Sequence, residues 1–243
     1  MIILLISDIH ANIVALNAVL ADAGPFLDGV WCLGDLVGYG PEPDACIERI
    51  RSLPNLSCLV GNHDAAVSGL RNIEKFNDDA EMAILVTRAI INPRNVDYLK
   101  TLPETIETEQ AILAHGSPRN PIWEYIMDSL SARMALAFIE KDFAFVGHTH
   151  LPLCFIHDKK TDKLTKKLMK PDEKIHLHDQ MILNPGSVGQ PRDHDPRASY
   201  GILDLAENTW EIHRVEYDIP SVQKRILEVG MPEKHAIRLS EGW

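Results

Sequence analysis

Seven side chains of the kinds that bind cations recur in short clusters, most of them flanked by glycine. Asp8 and His10 lie in Ser-Asp-Ile-His, Asp35 in Leu-Gly-Asp-Leu and Asn62 in Gly-Asn-His-Asp. His115 lies in Ala-His-Gly, and His148 and His150 lie in Gly-His-Thr-His. Oxygen and imidazole donors without thiolate suit Mn, Fe, Zn or Co, not calcium. Seven donors are too many for one open catalytic ion. They suit two ions sharing a bridging carboxylate, about 3.5–4 Å apart. Taken singly, each cluster is ordinary: Gly-Asp usually marks a turn, and a lone His-Gly is an unremarkable loop. What joins them is their position in the chain.

Each cluster follows an apolar run that reads as a strand: Ile2–Ile6, Gly29–Leu33, Leu56–Val60, Gln110–Ala114 and Phe143–Val146. Between the first three runs, residues 12–23 and 43–53 carry apolar side chains at helical spacing. Strands alternating with helices imply parallel pairing. The carboxyl ends of such strands form the crevice where ligands gather, and the adjacent glycines permit sharp turns and close backbone approach. Helical patterns also cover 78–91, 94–101, 131–140 and 219–229. After residue 150 the pattern turns to β: 153–157, 174–178, 181–183, 199–204 and 210–216. With no internal repeat and no linker-like tract, residues 1–243 are expected to form a single domain.

The composition narrows the partners. With 24 Lys and Arg against 35 Asp and Glu, the chain carries a formal charge of −11. Such a surface is poorly suited to coating nucleic acid or anionic membrane. The longest early apolar run, residues 1–6, is neither signal peptide nor span. Cys32, Cys46, Cys58 and Cys154 contain no C-x-x-C pair, and two sit within strand patterns. They read as reduced, buried thiols in a cytoplasmic protein. The six lysines between Lys159 and Lys170 read as a solvated hairpin arm. Signatures of P-loop, dinucleotide-binding, zincin and serine-hydrolase chemistry are missing from the sequence.

The ordered blocks Asp8-Ile-His10, Gly34-Asp35, Gly61-Asn62-His63-Asp64, His115 and Gly147-His148-Thr-His150 resemble the calcineurin-like metallophosphoesterase superfamily. Asn184-Pro-Gly-Ser-Val-Gly189 with Arg192, and His115-Gly-Ser-Pro-Arg119, are similar to its small prokaryotic phosphodiesterase branch. Ala11 departs from the pattern, since relatives often carry glycine there. The resemblance implies an α/β fold: a four-layer α/β/β/α sandwich with two central mixed β-sheets. It implies two divalent transition-metal ions (Mn, Fe, Zn, Co or Ni, with Mn favoured for activity). Asp8, His10 and His150 would hold one ion; Asn62, His115 and His148 would hold the other; Asp35 would bridge them. A metal-bound hydroxide would then attack a phosphodiester or nucleotide phosphoanhydride. His63 would donate a proton to the leaving oxygen, with Asp64 either fixing its tautomer or capping a helix. Asn62, Arg119 and Arg192 would contact substrate, although each arginine equally suits a surface ion pair. Trp123 and Tyr125 could stack a nucleobase beside the metals but read more readily as packing, and His235 has no constellation around it in the sequence. The expected partner is a phosphate-ester or nucleotide substrate, in a chain whose composition admits an oligomer. A phosphomonoesterase, a protein phosphatase and a non-catalytic metal-binding scaffold are the alternatives.

Overall fold

The structure is a computed structural model and describes residues 1–243 except Phe26 and Asp179. Its first half alternates as the apolar runs require: β1 (Ile2–Ile6), α1 (Ile13–Asp22), β2 (Gly29–Cys32), α2 (Pro43–Arg51) and β3 (Leu56–Cys58). Next come α3 (Asn62–Val67), α4 (Asp78–Ile90), α5 (Pro93–Thr101), β4 (Thr105–Glu107) and β5 (Ala111–Ala114). The chain continues through α6 (Ser129–Leu136), β6 (Phe143–Phe145), β7 (Leu153–Asp158), β8 (Lys163–Leu168), β9 (Lys174–His176) and β10 (Gln180–Leu183). It closes with β11 (Ala198–Asp204), β12 (Thr209–Val215), α7 (Ile219–Glu228) and α8 (Glu233–Glu241).

Two six-stranded mixed sheets result, ordered β3-β2-β1-β11-β12-β9 and β4-β5-β6-β10-β7-β8. β1, β2 and β3 run parallel in the first sheet. β5, β6 and β10 run parallel in the second. Side-chain alternation on the strands separates two cores. Ile3 and Leu5 of β1 point between the sheets, where they meet Trp31, Phe143, Phe145, Leu183 and Trp210. Leu4 and Ile6 point outward, onto a cluster containing Leu16 and Val19 of α1 and Ile47 and Ile50 of α2. On the far side α6 packs Ala132 and Ala135 against Ala144, Phe155 and Ile182 of the second sheet. The layers are therefore α/β/β/α, as expected.

The lysine-rich hairpin arm and the buried cysteines are as expected from the sequence, while α3 and α8 add to it. The lysine-rich arm is a regular strand, β8, paired antiparallel with β7 along its whole length. Its Lys166 and Lys167 are engaged locally, by the Met127 carbonyl and by Glu173. α3 is a six-residue helix that begins at Asn62 itself, and α8 follows α7 as a second C-terminal helix. All four cysteines are buried and free, with Cys32 and Cys58 opposite one another on β2 and β3. No helix among the described residues is long and apolar enough to cross a membrane.

Candidate metal centre

The strands end side by side, so the loops after β1, β2, β3, β5 and β6 share one rim. Every one of the seven predicted ligand side chains is buried there. Three groups of potential ligand atoms each converge within 4.8 Å: Asp8, His10 and His150; His10, Asp35 and His63; Asp35, His115 and His148. Asn62 joins the last group, with its Oδ1 3.0 Å from His115 Nε2.

Backbone carbonyls fix the tautomers. His10 Nδ1 is 3.1 Å from the Val37 carbonyl, His115 Nδ1 is 2.9 Å from that of Leu33, and His150 Nδ1 is 2.6 Å from that of Gln190. A carbonyl oxygen can only accept, so each Nδ1 carries a proton, and each Nε2 presents a lone pair once its ring is neutral. His10 Nε2 and His150 Nε2 nonetheless face each other at 3.1 Å. His115 Nε2 stands 3.2 Å from His148 Nδ1 and 3.4 Å from Asp35 Oδ2. Asp35 Oδ2 is buried without a hydrogen-bond donor, as is His148 Nε2. The facing lone pairs of His10 and His150 repel one another unless a cation lies between them, and only the proton on His115 Nε2, 3.4 Å away, offsets the charge of Asp35 Oδ2. The donor set fits divalent metal, and each carbonyl-anchored imidazole has the orienting contact expected of a ligand.

The backbone is strained where these side chains sit. Asp8, His10, Ala11, Asp35, His148 and His150 all have positive φ, between 48° and 66°. L-residues adopt this conformation at a cost, and such strain concentrates at functional sites. The value of 52° at Ala11 accounts for the glycine often found there in relatives. Gly61 lies so close to Asp35 that any Cβ would collide with its carboxylate. The Asn184–Gly189 segment ties the two halves of the rim. Asn184 Nδ2 donates to the Gly147 carbonyl at 2.7 Å, while Ser187 Oγ and the Gly189 amide donate to the Asp8 carbonyl at 2.8 and 2.9 Å.

Burial governs the protonation states. It holds His10, His148 and His150 well below the usual imidazole range, leaving them neutral. It also lifts Asp8 to about 6, with His115 opposing and Asp35 reinforcing. Burial acts against charge on His115 as well, but Asp35 and Asp8 overcome it and raise that ring to about 9. Asp35 is held well below the carboxylate range because His115 and His63 outweigh its own burial. A proton retained only by surrounding carboxylates is one that a cation displaces.

His63 is buried and its ring packs 4.4 Å from Tyr39, 4.9 Å from Phe76 and 5.0 Å from His10. Burial lowers it to about 4. The expected contact from Asp64 to this ring is not made. Asp64 Oδ2 accepts from the Gly61 amide at 3.0 Å and Oδ1 from the Val37 amide at 3.1 Å. At the third position of α3, its carboxylate caps the helix. Its proximity to the unmet donors of the helix start satisfies it there, so it positions the loop and not the imidazole.

The two arginines part company. Arg119 pairs with Glu124 through several hydrogen bonds, so its guanidinium is already engaged by a carboxylate. Arg192 reaches the site: its guanidinium stands 5.9 Å over the Tyr39 ring, and its charge acts on His10, His63, His148 and His150. Three residues at the rim were not assigned there from the sequence. Tyr125 stacks on His148 at 3.8 Å, while Tyr39 lies 4.7 Å from His10 and 4.7 Å from His235 of α8. Of these, Tyr39 had one sequence signal, its place in Gly38-Tyr39-Gly40 four residues after Asp35.

Fold and site together define a metallophosphoesterase. The calcineurin-like phosphoesterase superfamily domain matches residues 1–208. The chain belongs to that superfamily, and its enzyme class is phosphoric ester hydrolase. The crystal structure of a metallophosphoesterase from Sphaerobacter thermophilus is 42% identical, with a TM-score of 0.91 over 100% of this chain and 99% of that one. Uncharacterized protein MJ0912 of Methanocaldococcus jannaschii is 40% identical, over 99% of this chain and 98% of its own length. A symmetrical bis(5'-nucleosyl)-tetraphosphatase from Pectobacterium atrosepticum is 33% identical, but over only 57% of this chain and 50% of its own.

Proposed function

We propose that the chain, acting as one catalytic unit, holds two divalent transition-metal ions at this rim and hydrolyses a phosphodiester or a nucleotide phosphoanhydride. The observation that carries this is the arrangement around Asp35. Imidazole nitrogens of His10 and His150 on one side, and of His115 and His148 on the other, converge beside the buried Asp35 carboxylate. Asp8, His10 and His150 would hold one ion; Asn62, His115 and His148 the other; Asp35 would serve both. Such ions, manganese first among the candidates, supply Lewis acidity and a water activated near neutral pH.

The protein's own contribution is placement. Arg192 faces the ligand imidazoles as a fork suited to phosphate oxygens. The ring of His63 stands beside Asn62 outside the carbonyl-anchored set, and would hand a proton to the departing oxygen once bound phosphate offsets the burial that lowers its pKa. Tyr39 and Tyr125, packed on His10 and His148, would flank the bound substrate. The tetraphosphatase relatives favour the phosphoanhydride variant over a protein phosphatase. A non-catalytic metal-binding scaffold would need the ligands but not His63, whose ring stands 5.0 Å from that of His10.

Reconstitution with Mn²⁺, Zn²⁺, Fe²⁺, Co²⁺ or Ni²⁺, each tested on diesters, monoesters, cyclic nucleotides and dinucleoside polyphosphates, is the experiment. The expected result is metal-dependent release of a nucleotide. Inactivity of the fully metal-loaded protein on every class would favour the scaffold.

A further inference from the structure

We propose that Arg192 and Arg238 form a second phosphate subsite beside the metal centre, so that the substrate carries at least two phosphate groups in series, as nucleoside and dinucleoside polyphosphates do. This rests on the phosphoesterase function proposed above and names the substrate class for that site.

Arg238 comes from α8, beyond the residues matched by the family domain. α7 and α8 pack on Tyr39, Ala80 and Ala83 through Val222, Ile226, Ala236 and Leu239. This docking brings Arg238 Nη1 to 3.5 Å from Gln190 Oε1, the oxygen that also accepts from Arg192 Nη2 at 3.0 Å. Two cationic forks thus share one neutral amide oxygen. The Gln190 backbone carbonyl, in turn, anchors the ligand His150.

Neighbouring arginines are neutralised: Arg197 by Asp195, Arg214 by Asp193 and Arg225 by Glu42. Neither Arg192 nor Arg238 has a carboxylate at ion-pair distance among the described residues; the Nε of each, like that of Arg214, is buried without an acceptor. Arg238 has instead the ring of Trp243, 5.0 Å away. Two cations held close in a chain of net charge −11 are unfavourable unless an anion completes them. By formal charges, two divalent ions, Asp8, Asp35 and the two guanidiniums leave about +4. One phosphodiester supplies a single negative charge; a further phosphate in series supplies about one more, or about 1.5–2 where it is terminal.

Titration calorimetry on the Mn²⁺-loaded protein, with methylphosphonate and methylenediphosphonate as unreactive probes, tests this. Wild type should bind the diphosphonate at least about tenfold more tightly than the monophosphonate, and R238A should lose that preference. R238Q retains the side-chain stem against Trp243 and provides the same reading should R238A fold poorly. Preference undiminished in both variants, with methylphosphonate still bound, overturns the second subsite alone. A loaded wild type that binds neither probe overturns the phosphoesterase proposal and the subsite with it.

Discussion

The two ends of the sandwich differ in what they tolerate. At the end opposite the rim, a cavity of about 390 Å³ opens among Met1, Trp31, Gln110, Phe143, Phe145 and Leu205. It is ligand-sized and mostly apolar, the usual first guess for a binding site. At the rim, the cavity against His10, Tyr39 and His235 holds only about 10 Å³. Yet the rim has the strained backbone, the facing lone pairs and the unpartnered carboxylate. Positive φ also falls on Asn55, Asp162, Asp172 and Asn208, but singly in separate turns, whereas six rim positions share it. Strain and unmet polar groups therefore locate the chemistry better than volume does. They are costs that persist only where something compensates them.

If that contrast is sound, substitutions at the two ends should fail differently. The largest effect is expected at Asp35, whose carboxylate lies between both ligand sets. Asp35→Asn should lose both metals and all measurable hydrolysis, whereas His150→Ala should lose chiefly one ion. Elemental analysis of the purified variants decides, and retention of both ions by Asp35→Asn would remove its bridging role.

His63→Ala should leave metal content intact and cost about 10²–10⁴-fold where the leaving oxygen needs a proton. The loss should shrink for p-nitrophenyl esters, whose leaving group departs unaided. kcat across a series of aryl and alkyl leaving groups reads this directly, and equal losses throughout would make His63 a positioning residue.

Trp31→Ala sharpens the comparison from the other end. Trp31 is buried edge-on to Phe145, so its removal should cost about 3–5 kcal/mol of stability. Metal binding, in contrast, should survive. In thermal melts, Mn²⁺ at a hundredfold excess over Kd should add about 2.7 kcal/mol per site to wild type and Trp31→Ala alike. A variant that folds but no longer gains from Mn²⁺ would mean the two ends are coupled.

The smallest contrast separates two arginines. Arg192→Ala should mainly raise KM, by about tenfold, because it holds phosphate in ground and transition state alike. Arg119→Ala breaks only the exposed pair with Glu124 and should shift KM by less than about twofold. Equal effects would contradict the placement of Arg119 outside the site.

How much of this was legible follows from the physics of each part. The rim was readable because continuous apolar strands end abruptly in Asp, His and Gly, and parallel topology places their ends together. Arg119 and Arg192 were indistinguishable, since both follow motif loops; only Glu124, five residues on, separates them. Asp64 held two readings open until Gly61 and Val37 were seen to occupy its oxygens. Tyr125 and His235 were missed because their neighbours at the rim, His148 and Tyr39, are distant in sequence. α8 was missed because its nine residues are short and mostly polar, and its helix is stabilised by packing on α7 and Tyr39.

The central claim is that Asp35 holds two cations within one short distance. Mn²⁺-reconstituted wild type, dialysed free of excess metal, can be read by elemental analysis and electron paramagnetic resonance on the same sample. The account predicts two equivalents per chain and the spectrum of an exchange-coupled pair, as ions about 3.5–4 Å apart must give. One equivalent, or two with the spectra of isolated ions, would contradict it.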